Sequence, residues 1–249
     1  MNINPLRSAR SLFIATLPVL ALSAGMTSAE VNYESGTPLT ISELELQGTV
    51  QVFDMDGSPT SLIMNNTMIH GSLHTHHNSS VIGSNITTTV NFGVYNNSQA
   101  HIQNSTIGND FAGYTNSSFT VRNSTIQGDL ITSGSSVGTV SATGIQGQVL
   151  AYNNSMITLT EGSLPADGIT TYNTALVVLQ AESFDQEFTI LQGTGTITGQ
   201  LSTGERFSVD YQTHDESGIQ LVGTTSVPAP GALAVLGLAA LPLSRSRRR

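Results

Sequence analysis

The 249-residue chain has no Cys and no Trp, and all eight of its cations are Arg. Without cysteines there is no disulfide framework, so stability must come from packing and backbone bonding alone. Charged residues make up 10% of the chain, less than half of the roughly 25% usual in soluble domains, which argues against charge-driven disorder. Six of the eight cations sit at the two ends: Arg7, Arg10, Arg245, Arg247, Arg248 and Arg249. Between the ends, 2 cations, Arg122 and Arg206, face 17 acids, a net charge of −15. Such a surface has almost nothing with which to hold phosphate, so nucleic acid is excluded as a partner. Gly, Ser, Thr and Asn take the places that charged residues usually hold.

Both ends read as addresses. Residues 1–29 have a basic start at Arg7 and Arg10, an apolar run from Leu12 to Leu22 interrupted by Pro18, and the small-residue site Thr27-Ser28-Ala29. This is the pattern of a cleaved secretory signal, with the mature chain starting near Glu30. At the other end, Val227-Pro228-Ala229-Pro230-Gly231 precedes an apolar run from Ala232 to Leu243 and the cluster Arg245, Arg247, Arg248 and Arg249. As a helix the run reaches only ~18 Å, short of the ~30 Å hydrocarbon core of a bilayer, and the Arg cluster fixes its end on the cytoplasmic side. Residues 227–249 resemble the PEP-CTERM sorting signal of exported bacterial proteins, with Ala229 in the place of the motif's Glu. The resemblance implies handling by signal peptidase and then by an exosortase, membrane contact only through the two terminal signals, and delivery to the cell surface or the extracellular matrix of a Gram-negative-type bacterium.

The middle repeats every 19 residues. One column reads Met64, Gly83, Ile102, Val121, Val140, Leu159, Val178, and two residues earlier runs Leu62, Val81, Ala100, Phe119, Gly138, Ile157, Leu176. Two more are Ile69, Thr88, Ile107, Ile126, Ile145, Leu164 and Leu73, Phe92, Phe111, Leu130, Val149, Gly168. The first two alternate as a strand does. A unit this short cannot bury its own apolar face, so successive units must stack. The expectation is an all-β, single-stranded parallel β-helix, a solenoid of 19-residue coils, right-handed on base rates, with coils ~4.8 Å apart. Residues 30–60 would form an N-terminal cap with an irregular first coil and residues 61–186 the repeats. Residues 187–223 would be a C-terminal β-hairpin cap, turning at Thr203-Gly204-Glu205 and again near Glu216-Ser217-Gly218, with 224–249 as the sorting segment. Two polar columns, Asn78, Asn97, Asn116, Ser135, Asn154, Asn173 and Asn66, Asn85, Asn104, Asn123, Ala142, Glu161, are expected at corners, because Asn tolerates left-handed backbone and its amides can bond between copies.

Three groups carry chemistry. Asp110 and Asp129 lie one period apart in the column Ser72, Asn91, Asp110, Asp129, Gln148, Asp167. Stacked carboxylates raise each other's pKa, so this pair is the candidate for acid/base catalysis or for calcium, the alternative being a solvated acidic face; the expectation is no cofactor, with calcium the one open to it. His74 and His76 are the candidate transition-metal ligands, without a third ligand column beside them. Tyr95, Tyr114 and Tyr152 fall in the column His76, Tyr95, Tyr114, Ser133, Tyr152, Thr171, an aromatic stripe suited to stacking on sugar rings or to stacking on itself. The residues therefore point to a structural or adhesive surface protein in contact with exopolysaccharide. The alternative is a polysaccharide lyase or glycoside hydrolase using Asp110 and Asp129.

Overall fold

The structure, a computed structural model, describes residues 12–13, 31–33, 38–54, 57–186 and 189–224. All of the expected sorting segment, residues 224–249, except Thr224 lies outside the described residues, as does the expected secretory segment, residues 1–29, apart from the two-residue strand Leu12–Phe13, which pairs in parallel with Val31–Tyr33. Among the described residues there are strands and turns but no helix.

The chain winds as a parallel β-solenoid with three faces. On the first face the register runs Leu39, Leu62, Val81, Ala100, Phe119, Gly138, Ile157, Val177, Ile219. On the second it runs Leu46, Ile69, Thr88, Ile107, Ile126, Ile145, with Pro165 joined by an isolated bridge. The third runs Val31, Val50, Leu73, Phe92, Phe111, Leu130, Val149, Ile169, Tyr211. The 19-residue spacing holds from Leu62 to Ile157, as expected.

The last repeat departs from that spacing by one residue. Ile157 pairs with Val177 and Leu159 with Leu179, a step of 20. The inward positions are therefore Val177 and Leu179, not Leu176 and Val178, and the third face carries Ile169 rather than Gly168. The extra residue falls around Gly162-Ser163-Leu164-Pro165, where Gly162 has φ +80° and Pro165, not Leu164, bridges Ile145.

Inside, side-chain size is balanced between coils rather than within one. Phe119 follows Ala100 and precedes Gly138 in its column, and its ring fills space belonging to both neighbours. A Cβ on Gly138 would lie 2.1 Å from the ring's Cζ, and one on Gly113 2.6 Å from its Cε1. Close packing of this kind makes Gly an apolar filler here.

The corners explain the polar composition. Glu43, Asn66, Asn85, Asn104, Asn123, Ala142 and Glu161 all have positive φ between 47° and 57°, and Asn85 Nδ2 donates to Asn66 Oδ1 at 3.1 Å. The other expected corner column is displaced by one residue. The left-handed positions there are His77, Asn96, Thr115, Gly134, Asn153, Asn173 and Asp215, each one residue before the Asn78 series until the 20-residue step brings Asn173 into line; within that series only Asn97 and Asn173 have positive φ. Just inside this corner lies a buried column of hydroxyls. Ser79, Ser98 and Ser136 donate to the carbonyls of Val52, Thr75 and Gly113 on the coil before, at 3.0, 3.0 and 3.1 Å. A second set runs at the corner between the first two faces, where the N–H groups of Ile86, Ser105, Ser124 and Thr143 donate to the hydroxyls of Ser105, Ser124, Thr143 and Ser163 on the next coil. Each hydroxyl satisfies buried backbone that a bend would otherwise orphan.

The C-terminal end is part hairpin and part coil. Thr189–Gln200 runs antiparallel to Arg206–Gly223, as the turn at Thr203-Gly204-Glu205 suggests. The second expected turn, near Glu216, is instead a solenoid corner within one strand: Tyr211–Thr213 pairs in parallel with Ile169–Thr171, and Gly218–Gly223 with Leu176–Ala181. Thr189–Gln200 then covers the outer edge of that last coil, which would otherwise present unpaired backbone.

Candidate functional site

The third face brings the candidate acids and rings onto one surface. In an extended strand alternate residues point the same way, so Asp110, Ala112 and Tyr114 face outward in one coil, Asp129, Ile131 and Ser133 in the next, and Gln148, Leu150 and Tyr152 in the one after. Acids line one side of this face, rings the other, and small or apolar residues the strip between.

The acid column holds the backbone together. Asp110 N–H donates to Asn91 Oδ1 at 3.2 Å, Asp129 N–H to Asp110 Oδ1 at 2.9 Å, and Gln148 N–H to Asp129 Oδ1 at 2.8 Å. Each side-chain oxygen reaches over the corner to the same position one coil on. Glycine makes room for it: a Cβ at Gly128 would lie 2.3 Å from Asp110 Oδ1, and one at Gly147 2.3 Å from Asp129 Oδ1. Asn91 does this work without a charge, so acceptor geometry is what the column selects. The 20-residue step takes Asp167 out of this column, where Gly168 follows Gln148 instead; Asp167 lies in a shallow hollow of about 340 Å³ with Gln148, Asp210 and Tyr211.

The aromatic column is longer than the sequence spacing indicated. Phe53, His76, Tyr95 and Tyr114 form one stack, with successive centroids 4.8, 4.8 and 5.2 Å apart and planes within 12°. Tyr152, Tyr172 and His214 form a second, at 4.9 and 4.6 Å and within 2°. Tyr172, not Thr171, occupies the ring position because of the 20-residue step. Phe53 and His214 lie outside the regular period, so no 19-residue signal marks them. Gly93 accommodates the ring of Tyr95, whose Cε2 would lie 2.3 Å from a Cβ there. Offset parallel rings of this kind contribute about 0.5–1.5 kcal/mol per pair beyond their area.

Both faces of Tyr95 are covered, by His76 and by Tyr114. Tyr114 and Tyr152 each have a ring on one side only within the column, and Ser133 stands between them. Burial raises the pKa of Tyr95, Tyr114 and Tyr152; Asp110 adds to the rise at Tyr114, and Tyr172, Asp129 and Tyr114 add to it at Tyr152. The acids and rings are thus within electrostatic reach across the strip.

His74 also faces this surface, tilted against Tyr95 at 5.7 Å and against His76 at 6.1 Å. Burial lowers the pKa of His74, and burial followed by His74 and His77 lowers that of His76 to about 4. Both rings are therefore neutral at pH 7. His74 Nδ1 and His76 Nε2 are buried without a hydrogen bond, and among the described residues no three His, Cys, Asp or Glu side chains gather around a common point.

Comparison of the chain with protein-family models, with curated proteins and with solved structures found no match. Fold and face together define a class: a three-faced parallel β-solenoid with an outward surface of stacked rings beside a ladder of side-chain acceptors.

Proposed function

We propose that this chain is an exported structural rod of the cell surface or extracellular matrix that contacts exopolysaccharide and does not cleave it. The observation that carries the reading is the hydrogen bonding of Asp110 and Asp129. One oxygen of each carboxylate accepts a backbone N–H from the next coil, so the two acids that could have formed a catalytic pair act as rungs between coils. Glycosidic cleavage needs one carboxyl group to give a proton and a second to act as base or nucleophile, which groups tied to backbone donors serve poorly. The export part of the proposal rests on residues 1–29 and 227–249. Cleavage after Ala29 would remove Leu12–Phe13 and leave Val31–Tyr33 as the first strand.

The test incubates the chain with neutral and acidic polysaccharides and follows new reducing ends and unsaturated sugars, with an Asp110→Asn/Asp129→Asn double variant as the control. The expected result is the same background for both proteins. Turnover by the wild type that the double variant loses would overturn the proposal in favour of a lyase or hydrolase.

A further inference from the structure

The aromatic column has one break, and its dimensions are those of a missing ring. Adjacent rings lie 4.6–5.2 Å apart, so Tyr114 and Tyr152, two coils apart across Ser133, are separated by about 10 Å, twice the spacing of paired strands. A ring placed midway would sit about 5 Å from each, as the native rings sit from one another. The floor of this notch is Ile131, on the outward side of its strand and half-buried. Its polar rim includes the Ser133 hydroxyl, which accepts from Asn153 Nδ2 at 3.0 Å, with Asp129 at the far end of the same coil.

We propose that this notch binds one neutral pyranose ring of a glycan chain, its two apolar faces against Tyr114 and Tyr152 and its hydroxyls toward Ser133, Asn153 and Asp129. The walls and floor are apolar and the rim is polar, the complement of a ring with C–H faces and a hydroxylated edge. A phenyl ring would match the walls and leave the rim unused. Charge selects further: Asp110 and Asp129 line this face, and the chain between its terminal signals carries 17 acids against 2 cations, so uronate-rich polymers are repelled. The proposal rests on the reading that the chain contacts polysaccharide.

Completing the column tests it. Ser133→Tyr supplies the missing ring, should raise the melting temperature by about 2–12 °C through two new stacking contacts, and fills the notch. Binding of the full chain to dextran and hydroxyethyl cellulose, with alginate as the acidic polymer, is measured by affinity electrophoresis. Thr120→Ala on the first face serves as a control. We expect wild type and Thr120→Ala to bind a neutral polymer and Ser133→Tyr to bind it at least about tenfold more weakly, because a filled notch loses both stacked contacts. Tyr152→Ala, which removes one wall, should lose binding to a similar extent, and it keeps the test decisive if the Ser133 variant does not fold. Equal binding by wild type and both variants would overturn the notch and leave the polysaccharide reading in place. Binding of alginate in preference to the neutral polymers would overturn the assignment of a neutral ring. No binding by the wild type to any of the three polymers would overturn both the notch and the reading beneath it.

Discussion

Replacing Asp129 separates the two roles a carboxylate could have at that position. Gln148 N–H donates to Asp129 Oδ1 at 2.8 Å, and Asp129→Ala leaves that donor at a half-buried corner with no side-chain acceptor. Hydrogen bonds to charged groups contribute about 1.5–3 kcal/mol, and water reaching the corner recovers part of this, so a loss of about 1–2 kcal/mol is expected. For a domain of this size that lowers the melting temperature by roughly 2–8 °C. Asp129→Asn keeps the acceptor oxygen and discards the charge. The column already contains this solution, since Asn91 Oδ1 accepts from Asp110 N–H at 3.2 Å, so Asp129→Asn should melt within about 1 °C of wild type. Thermal unfolding followed by far-UV circular dichroism provides the readout. If Asn costs as much as Ala, charge rather than acceptor geometry matters at this corner, and the reasoning behind the acid column fails.

Two further outcomes follow from the packing and the ionisation of the same structure. Gly138→Ala puts a Cβ 2.1 Å from Phe119 Cζ, and overpacking of this kind costs about 1–3 kcal/mol. Phe119→Leu in the same chain should recover most of the loss, so denaturant titrations of the two single variants and the double variant should show strong coupling. His76 has its pKa lowered from 6.5 to about 4, first by burial and then by His74 and His77, so between those values the unfolded chain binds a proton that the folded chain does not. Stability is then complete above pH 6.5 and falls as pH drops toward 4. The shift corresponds to at most about 3 kcal/mol, which solvent at the exposed ring edge reduces to about 1–2 kcal/mol. His76→Tyr, a residue the column already carries, should flatten the melting profile across that window, leaving the smaller contribution of His74.

The solenoid was legible because a 19-residue period carries its inward residues at fixed offsets, and columns such as Leu73, Phe92, Phe111, Leu130 and Val149 survive as observed. The one-residue slip at the end was not legible. Leu176-Val177-Val178-Leu179 is apolar throughout, so alternation there cannot say which residues point inward, and only backbone pairing to Ile157 and Leu159 decides it. The corner at Asn97 and Asn116 was misplaced for a related reason: Asn96 and Asn97 are adjacent and both have positive φ, while Thr115 takes the left-handed position on the next coil although Asn116 follows it. Composition named the chemistry of the turn without naming its residue. The column Ser79, Ser98, Ser117, Ser136, Ser155 was present at the same period, but buried serine has no hydropathy signal to separate it from surface serine. For the site, spacing brought Asp110, Asp129, Tyr95, Tyr114 and Tyr152 to notice. What spacing could not give was that each acid curls over a glycine to the next coil, or that the rings cover one another everywhere except at Ser133.

The absence of cysteine allows the stacking itself to be measured. In-register parallel neighbours lie about 4.8 Å apart, within the 4.4–6.8 Å Cα separation that disulfides span. Thr158 and Val178 are paired on the outward side of the first face, whereas Val177 is inward and paired with Ile157. Two double variants, Thr158→Cys/Val178→Cys and Thr158→Cys/Val177→Cys, oxidised in the folded state and compared by gel mobility, test both the coil and its 20-residue step. The account predicts rapid cross-linking in the first and none in the second. Cross-linking of Thr158→Cys with Val177→Cys instead would contradict the 20-residue step, which turns Val177 and Leu179 inward and stacks Tyr172, not Thr171, on Tyr152.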